Sequence, residues 1–235
     1  EIKLPRTDGI GGVDLIKICA DNLPNRTMLT RDEIKAIVQM AHNYDLLVTA
    51  HSVTNKSAWD AVQAGVDGIE HGFNIADSTL KLMAKKNVFL VPTENSRNYM
   101  DIYTNLAGFE KEETEWVEYY LENMRKRLNR ARDLGVTIIA GSDNYTDIGG
   151  TRGKSSQDMF RMYFEAGMKP LDILQSATYL SALSMGMEND IGIIKPGAKA
   201  DIIAVKGNVT SDFIKTVENI IFVMKDGDIY LHETN

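Results

Sequence analysis

Residues 46–72 read LLVTAHSVTNKSAWDAVQAGVDGIEHG, and the rhythm inside this stretch decides the fold. An apolar run, Leu46–Ala50, leads into a segment from Lys56 to Ala64 with helical periodicity. Gly65 stands where a left-handed C-terminal helix cap is expected. Val66 then starts a second apolar piece around Gly68-Ile69. A strand that is apolar without alternation needs cover on both faces, which a parallel sheet with crossover helices provides. The unit reads as strand, helix, strand, with a histidine closing each strand: His51 and His71.

The same rhythm extends in both directions. Further apolar runs fall at Val13–Cys19, Val88–Val91 and Val136–Ala140. Thr30-Arg31-Asp32-Glu33 has the spacing of a capping box and opens a helix reaching about Tyr44. A later helix ends at Leu134-Gly135, and Pro170 sits in the first turn of a helix to about Met185. Strands alternate with helices five times, which predicts an α/β fold with right-handed crossovers. After Met185 the texture becomes turns and short strands. Ile220–Met224 and Ile229–Leu231 flank Lys225-Asp226-Gly227-Asp228 as a β-hairpin. The expected boundary lies near 188, giving 1–187 as the α/β part and 188–235 as a small β domain.

The chain has 235 residues, 43% of them hydrophobic, and a net charge of −7. That balance argues against a nucleic-acid or anionic-membrane surface, either of which calls for a basic face. One cysteine, Cys19, excludes an internal disulfide and is expected to be packing rather than a nucleophile. No apolar run approaches the ~20 residues of a membrane span. Glu1 is not a natural start, so a processed or truncated N-terminus is expected and the compartment stays open.

Parallel barrels keep their chemistry at the C-terminal ends of the strands. The polar residues there are Lys17 in Asp14-Leu15-Ile16-Lys17-Ile18-Cys19, His51, His71, and Asp143 in Gly141-Ser142-Asp143. His, His and Asp on separate strands suit a divalent metal. A lysine within an apolar strand is otherwise costly, because a buried ammonium needs a partner or a shifted pKa. Each residue also has a plainer reading. Strand-end histidines are often hydrogen-bonded structural residues, Asp143 before Asn144 could cap a turn, and Lys17 could snorkel to the rim. His42 and His232 receive no role.

Ala64-Gly65-Val66-Asp67-Gly68-Ile69-Glu70-His71-Gly72 resembles the sixth-strand motif of the amidohydrolase superfamily, in particular its imidazolonepropionase-like and Xaa-Pro dipeptidase (prolidase) branch. Val48-Thr49-Ala50-His51 matches strand five, and Gly141-Ser142-Asp143 strand eight. Ile191-Gly192-Ile193-Ile194-Lys195-Pro196-Gly197-Ala198-Lys199-Ala200-Asp201 resembles the start of the family's C-terminal sandwich segment. The resemblance implies a (β/α)8 TIM-type barrel with strands 4–8 present and strands 1–3 missing, plus part of a β-sandwich. The family's strand-one His-x-His pair is absent from this sequence. A whole barrel takes roughly 250 residues, and an open one exposes apolar edges. The N-terminal part is expected on a separate chain or segment, this chain alone being neither stable nor active.

The resemblance further implies two divalent metal ions, zinc by default, bridged by an N-carboxylated Lys17. His51 and His71 would ligate one ion. Asp143 would ligate the other and act as the catalytic base for a metal-bridged hydroxide. Glu70 alternates away from His71 and would be a supporting partner. The reaction would be hydrolysis of a small-molecule amide: a dipeptide, an N-acyl amino acid or a cyclic amide. Arg97, Tyr145 and Arg152, in the loops after strands seven and eight, are candidates for holding substrate, an Arg fork suiting a carboxylate. A homo-oligomer is expected. Two other readings stay open: a mononuclear aminohydrolase (deaminase) of the same superfamily, which does not need Lys17, and a non-catalytic assembly chain that retains barrel motifs.

Overall fold

The capping box forms as its spacing predicts. In the computed structural model, which describes residues 12–22, 27–110, 114–144 and 151–233, Glu33 accepts the Thr30 amide at 2.7 Å while Thr30 Oγ1 accepts from the Glu33 amide at 3.3 Å. The chain divides into two compact units. The first comprises residues 1–92, 130–139 and 183–186, and the second residues 93–129, 140–182 and 187–235.

In the first unit the order is β1 (Leu15–Cys19), β2 (Asp21–Asn22), β3 (Thr27–Met28), α1 (Arg31–His42), β4 (Leu47–Ser52), α2 (Asn55–Ala64), β5 (Gly68–His71), α3 (Asp77–Lys86) and β6 (Phe89–Val91). The main sheet runs β1-β4-β5-β6, every pair parallel. β2 and β3 form a short antiparallel pair. α1 and α2 pack on β4, and α2 also on β5. The buried core therefore combines Val48, Ala50, Ile69 and Leu90 of the sheet with Ile34, Val38, Ala58, Ala61 and Val62 of these helices. Gly65 caps α2 at φ +100°, a conformation an L-residue with a Cβ adopts reluctantly.

The run at 136–140 is shorter in regular structure than its composition predicts. Only Ile138 bridges, in parallel, to Leu90. Its backbone frame is still that of a strand, with Leu90 N donating to Thr137 O and Ile139 N to Leu90 O, both at 2.9 Å. β6, its one partner among the described residues, is three residues long, so the ladder has little to extend along.

One expectation on β1 is corrected: Cys19 is exposed rather than packed, its thiol donating to the Asp21 carbonyl at 2.9 Å. The Lys17 side chain is half exposed, as the rim reading allowed. Among the described residues β1 pairs only with β4, so it is an edge strand of this sheet. An apolar run does not reveal that position.

Gly68 and Phe89 are direct partners across β5 and β6. A Cβ at Gly68 would lie 2.1–2.7 Å from three atoms of the Phe89 ring. Glycine is required here by the aromatic ring laid over the strand. Gly68→Ala is expected to destabilise the protein by about 1–3 kcal/mol through overpacking, read as a lower urea midpoint.

Asp60 on α2 ties the two helices together. It accepts from Arg31 Nη2 at 2.5 Å and from Lys56 at 2.5 Å. Burial alone would raise its carboxyl, but the bonds from Lys56 and Arg31 outweigh that and hold it below the ordinary 3.8. A depressed folded pKa contributes stability that is present above 3.8 and lost as pH falls through the folded value. Asp60→Asn should therefore cost about 1–3 kcal/mol at neutral pH and flatten the acid limb of a stability–pH curve.

The second unit holds α4 (Arg97–Leu106), most of α5 (Glu115–Asp133), α6 (Arg152–Glu165), α7 (Pro170–Ala177), most of α8 (Tyr179–Leu183), β7 (Ile202–Val205), α9 (Phe213–Glu218), β8 (Ile220–Lys225) and β9 (Asp228–His232). Tyr99 and Met100 of α4 pack with Val117 and Leu121 of α5. Phe213 of α9 stacks against Phe160 and Phe164 of α6 at centroid distances of 6.5 and 5.5 Å. β7-β8-β9 is an antiparallel sheet. The predicted hairpin forms its tip with Asp226 at φ +51° and Gly227 at φ +88°, the two left-handed residues of a type I′ turn.

Candidate metal centre

Register places the first site residues. Lys17 pairs with Thr49, and His51 with Glu70, in a parallel sheet where paired residues share a face. Thr49 and His51 are two apart, so Lys17, His51 and Glu70 project to one side. Lys17 Nζ lies 3.9 Å from Glu70 Oε2. Glu70 is thus the neighbour of Lys17 across β4.

Strict alternation would send His71 to the opposite face. Instead its backbone turns left-handed at φ +67°, followed by Gly72 at φ +64°. The ring returns to stand edge-on to His51, with centroids 4.5 Å apart and planes at 73°. His71 is buried, and Phe73 flanks it at 5.4 Å. The structure therefore brings His51 and His71 together, with Lys17 on the adjacent strand.

A buried carboxylate that sequence reading passed over supports this group. Asp21, 1% exposed, accepts from Val53 N at 3.0 Å, Thr54 N at 2.9 Å, Thr54 Oγ1 at 2.9 Å and Ser57 Oγ at 2.5 Å. These donors fix the turn that follows β4. Asp21 Oδ1 also lies 3.9 Å from His51 Nε2. Burial would raise the Asp21 carboxyl, but the hydrogen bonds from Ser57, Val53 and Thr54 outweigh it and hold it below its ordinary value. Its signal in the sequence is weak: an acidic residue two positions past a strand-end cysteine.

Two imidazoles at this separation fit the nitrogen half of a zinc-type donor set. Among the described residues no three His, Cys, Asp or Glu side chains form a ready cage. An unmodified lysine ammonium has no lone pair to give, so Lys17 serves as a ligand only after conversion to an anion.

Asp143 belongs to the second unit. It is exposed, with φ +50°. The residues around it are pinned: Ala140 N donates to Ser176 O at 3.0 Å, and Asn144 Nδ2 to Ser155 O at 2.6 Å. Arg97 is engaged by Asp101 at 2.7 Å and by Glu118. Arg152 is the exposed first residue of α6. Tyr145 lies outside the described residues.

The second unit also contains an ion pair with no counterpart in the sequence reading. Glu94, just past β6, is wholly buried and accepts from Arg127 Nη2 of α5 at 2.5 Å, with Arg127 2% exposed. Burial pushes the Glu94 carboxyl up, with Arg127 opposing. The Tyr163 phenol is also driven up, by its own burial and by the nearby Glu94 charge.

Known proteins resemble this chain in sequence and fold. Ochratoxinase of Aspergillus niger is 28% identical over 232 residues, covering 93% of this chain and 46% of that protein. The structure of a prolidase complexed with N-methylphosphonate-L-proline superposes with a TM-score of 0.78 at 28% identity, over 94% of this chain and 56% of the other. A Xaa-Pro dipeptidase with methionine bound in its active site gives 0.75 at 29%, over 94% and 55%. The chain thus spans about half the length of the proteins it matches. Residues 10–230 match the amidohydrolase family, and the chain belongs to it.

Proposed function

We propose that this chain carries the metal-binding strand ends of an amidohydrolase that cleaves the C–N bond of a dipeptide, an N-acyl amino acid or a cyclic amide. In this reading the parallel sheet belongs to a (β/α)8 barrel and β7-β8-β9 to a β-sandwich. The observation that carries it is the approach of His51 and His71, achieved by a left-handed turn at His71 that regular strand geometry would not give. Left-handed non-glycine residues are strained, and such strain gathers at functional sites.

His51, His71 and a carboxylated Lys17 would hold divalent metal, zinc by default, with Asp143 as a further ligand through its motif. Bound metal supplies Lewis-acid activation of the water and of the scissile carbonyl. The chain supplies the rest. Asp21 holds the turn behind His51, and the Asp143 carboxylate takes the proton from the attacking water and hands it to the leaving amine. Glu70 bears on Lys17 in a specific way. With an ammonium at Lys17 the two form an ion pair, but a carbamate there would face another anion. Carboxylation would therefore favour metal loading, since bound cations relieve that repulsion.

A second reading, the mononuclear aminohydrolase, is favoured by the same pair, because Lys17 is satisfied by Glu70 without modification. The intact protein should be assayed against Xaa-Pro dipeptides, N-acyl amino acids and adenine, before and after chelation. Chelator-sensitive release of an amino acid is the expected result, ammonia release selects the second reading, and no turnover on any of them contradicts both.

A further inference from the structure

A neutral imidazole carries a lone pair on only one of its two ring nitrogens, the other being protonated. Which nitrogen of His51 can take a metal is therefore set by what the other one meets. Nε2 faces the buried Asp21, 3.9 Å from its Oδ1. Both groups belong to the first unit, and the main chain ties them together. Ala20 N donates to His51 O at 2.9 Å, and Val53 and Thr54, whose amides Asp21 accepts, follow directly on β4.

The two oxygens of Asp21 differ in what they already hold. Oδ2 accepts from Thr54 N at 2.9 Å, Thr54 Oγ1 at 2.9 Å and Ser57 Oγ at 2.5 Å, which exhausts its lone pairs. Oδ1 accepts from Val53 N at 3.0 Å and has a lone pair to spare. The oxygen with capacity left is the one that faces the imidazole. A carboxylate can only accept, so the proton between the two must come from His51 Nε2.

We propose that Asp21 is a positioning residue for the metal: it takes the Nε2–H of His51, fixes that tautomer, and so leaves the Nδ1 lone pair for the ion. This rests on the metal-hydrolase reading above. A carboxylate placed behind a metal-binding imidazole orients the ring and raises its basicity. A ring movement of about 1 Å brings the contact into the ordinary hydrogen-bond range.

The test is nitrogen-15 NMR of the histidine rings in the intact protein, with and without zinc, beside the zinc Kd from chelator competition and Tm. His51→Gln assigns the His51 signals among the four histidines. In the wild type Nε2 should keep its proton and Nδ1 should carry the zinc. Asp21→Asn separates orientation from packing. The one oxygen of the carboxamide is claimed by Thr54 and Ser57, so its NH2 points to His51, donates to Nε2 and imposes the opposite tautomer, the known consequence of a carboxamide behind an imidazole. The zinc Kd should rise about 10- to 100-fold, with the His51 ring proton moved to Nδ1 in the zinc-free variant. A role in packing alone would lower Tm and leave that proton on Nε2. If Asp21→Asn does not fold, the wild-type spectrum still decides. Zinc held through Nε2 in the wild type, or a wild-type Kd and tautomer in Asp21→Asn, would overturn the role of Asp21 and leave the metal reading intact. A wild-type protein that binds no zinc would overturn both.

Discussion

Arg127→Met is expected to lower folding stability by about 3–5 kcal/mol, because it strands the wholly buried Glu94 without its cation. The pair itself contributes far less than that figure, since desolvation of two ions offsets most of their attraction. Arg127→Met combined with Glu94→Leu should therefore recover most of the loss. The single variant also acquires a pH signature. Burial already raises Glu94 above the ordinary 4.5, and loss of Arg127 removes the influence that opposes it. A carboxyl whose folded pKa is raised favours folding below its unfolded value, and that contribution is lost as pH rises through the folded one. Arg127→Met should accordingly be least stable at neutral pH and regain stability on acidification towards 5. Urea midpoints at the two pH values check this. A single-variant loss below about 1 kcal/mol would mean that the carboxylate finds water or another donor.

Asp143→Asn is expected to reduce kcat by about 10²–10⁴-fold while leaving Tm unchanged or slightly higher. The substitution separates chemistry from backbone. Asparagine tolerates φ +50° at least as well as aspartate, so the strained turn survives, and only the ability to take a proton is lost. Asp143 is exposed, and the clamps at Ala140 and Asn144 do not pass through its side chain. Steady-state kinetics beside a thermal melt would decide it. Retention of kcat within about tenfold would remove Asp143 from the proton transfer.

Local signals were readable in the sequence because they are local. The Thr30–Glu33 capping box, the Gly65 cap and the Asp226-Gly227 tip each lie within a few residues, and each forms as expected. The β5 motif was equally plain, since His71 is followed by the glycine its turn requires. Position within the sheet was not. Leu15–Cys19 has the composition of an inner strand, but in the described sheet it has a neighbour on one side only, which leaves Lys17 half exposed. Alternation puts Glu70 and His71 on opposite faces, and it does not show that the positive φ at His71 brings its ring back beside His51. The Glu94–Arg127 pair joins a loop to a helix 33 residues away, and an arginine in α5 reads as part of a solvated face until the fold buries it. α9 is six residues long and too short for a periodic signal.

Metal content tests the central claim most directly. Elemental analysis of the intact protein is expected to find about two divalent ions per polypeptide, falling to about one or none in Lys17→Ala and in His71→Ala. A protein with no bound metal, whose hydrolysis is indifferent to chelators, would contradict it.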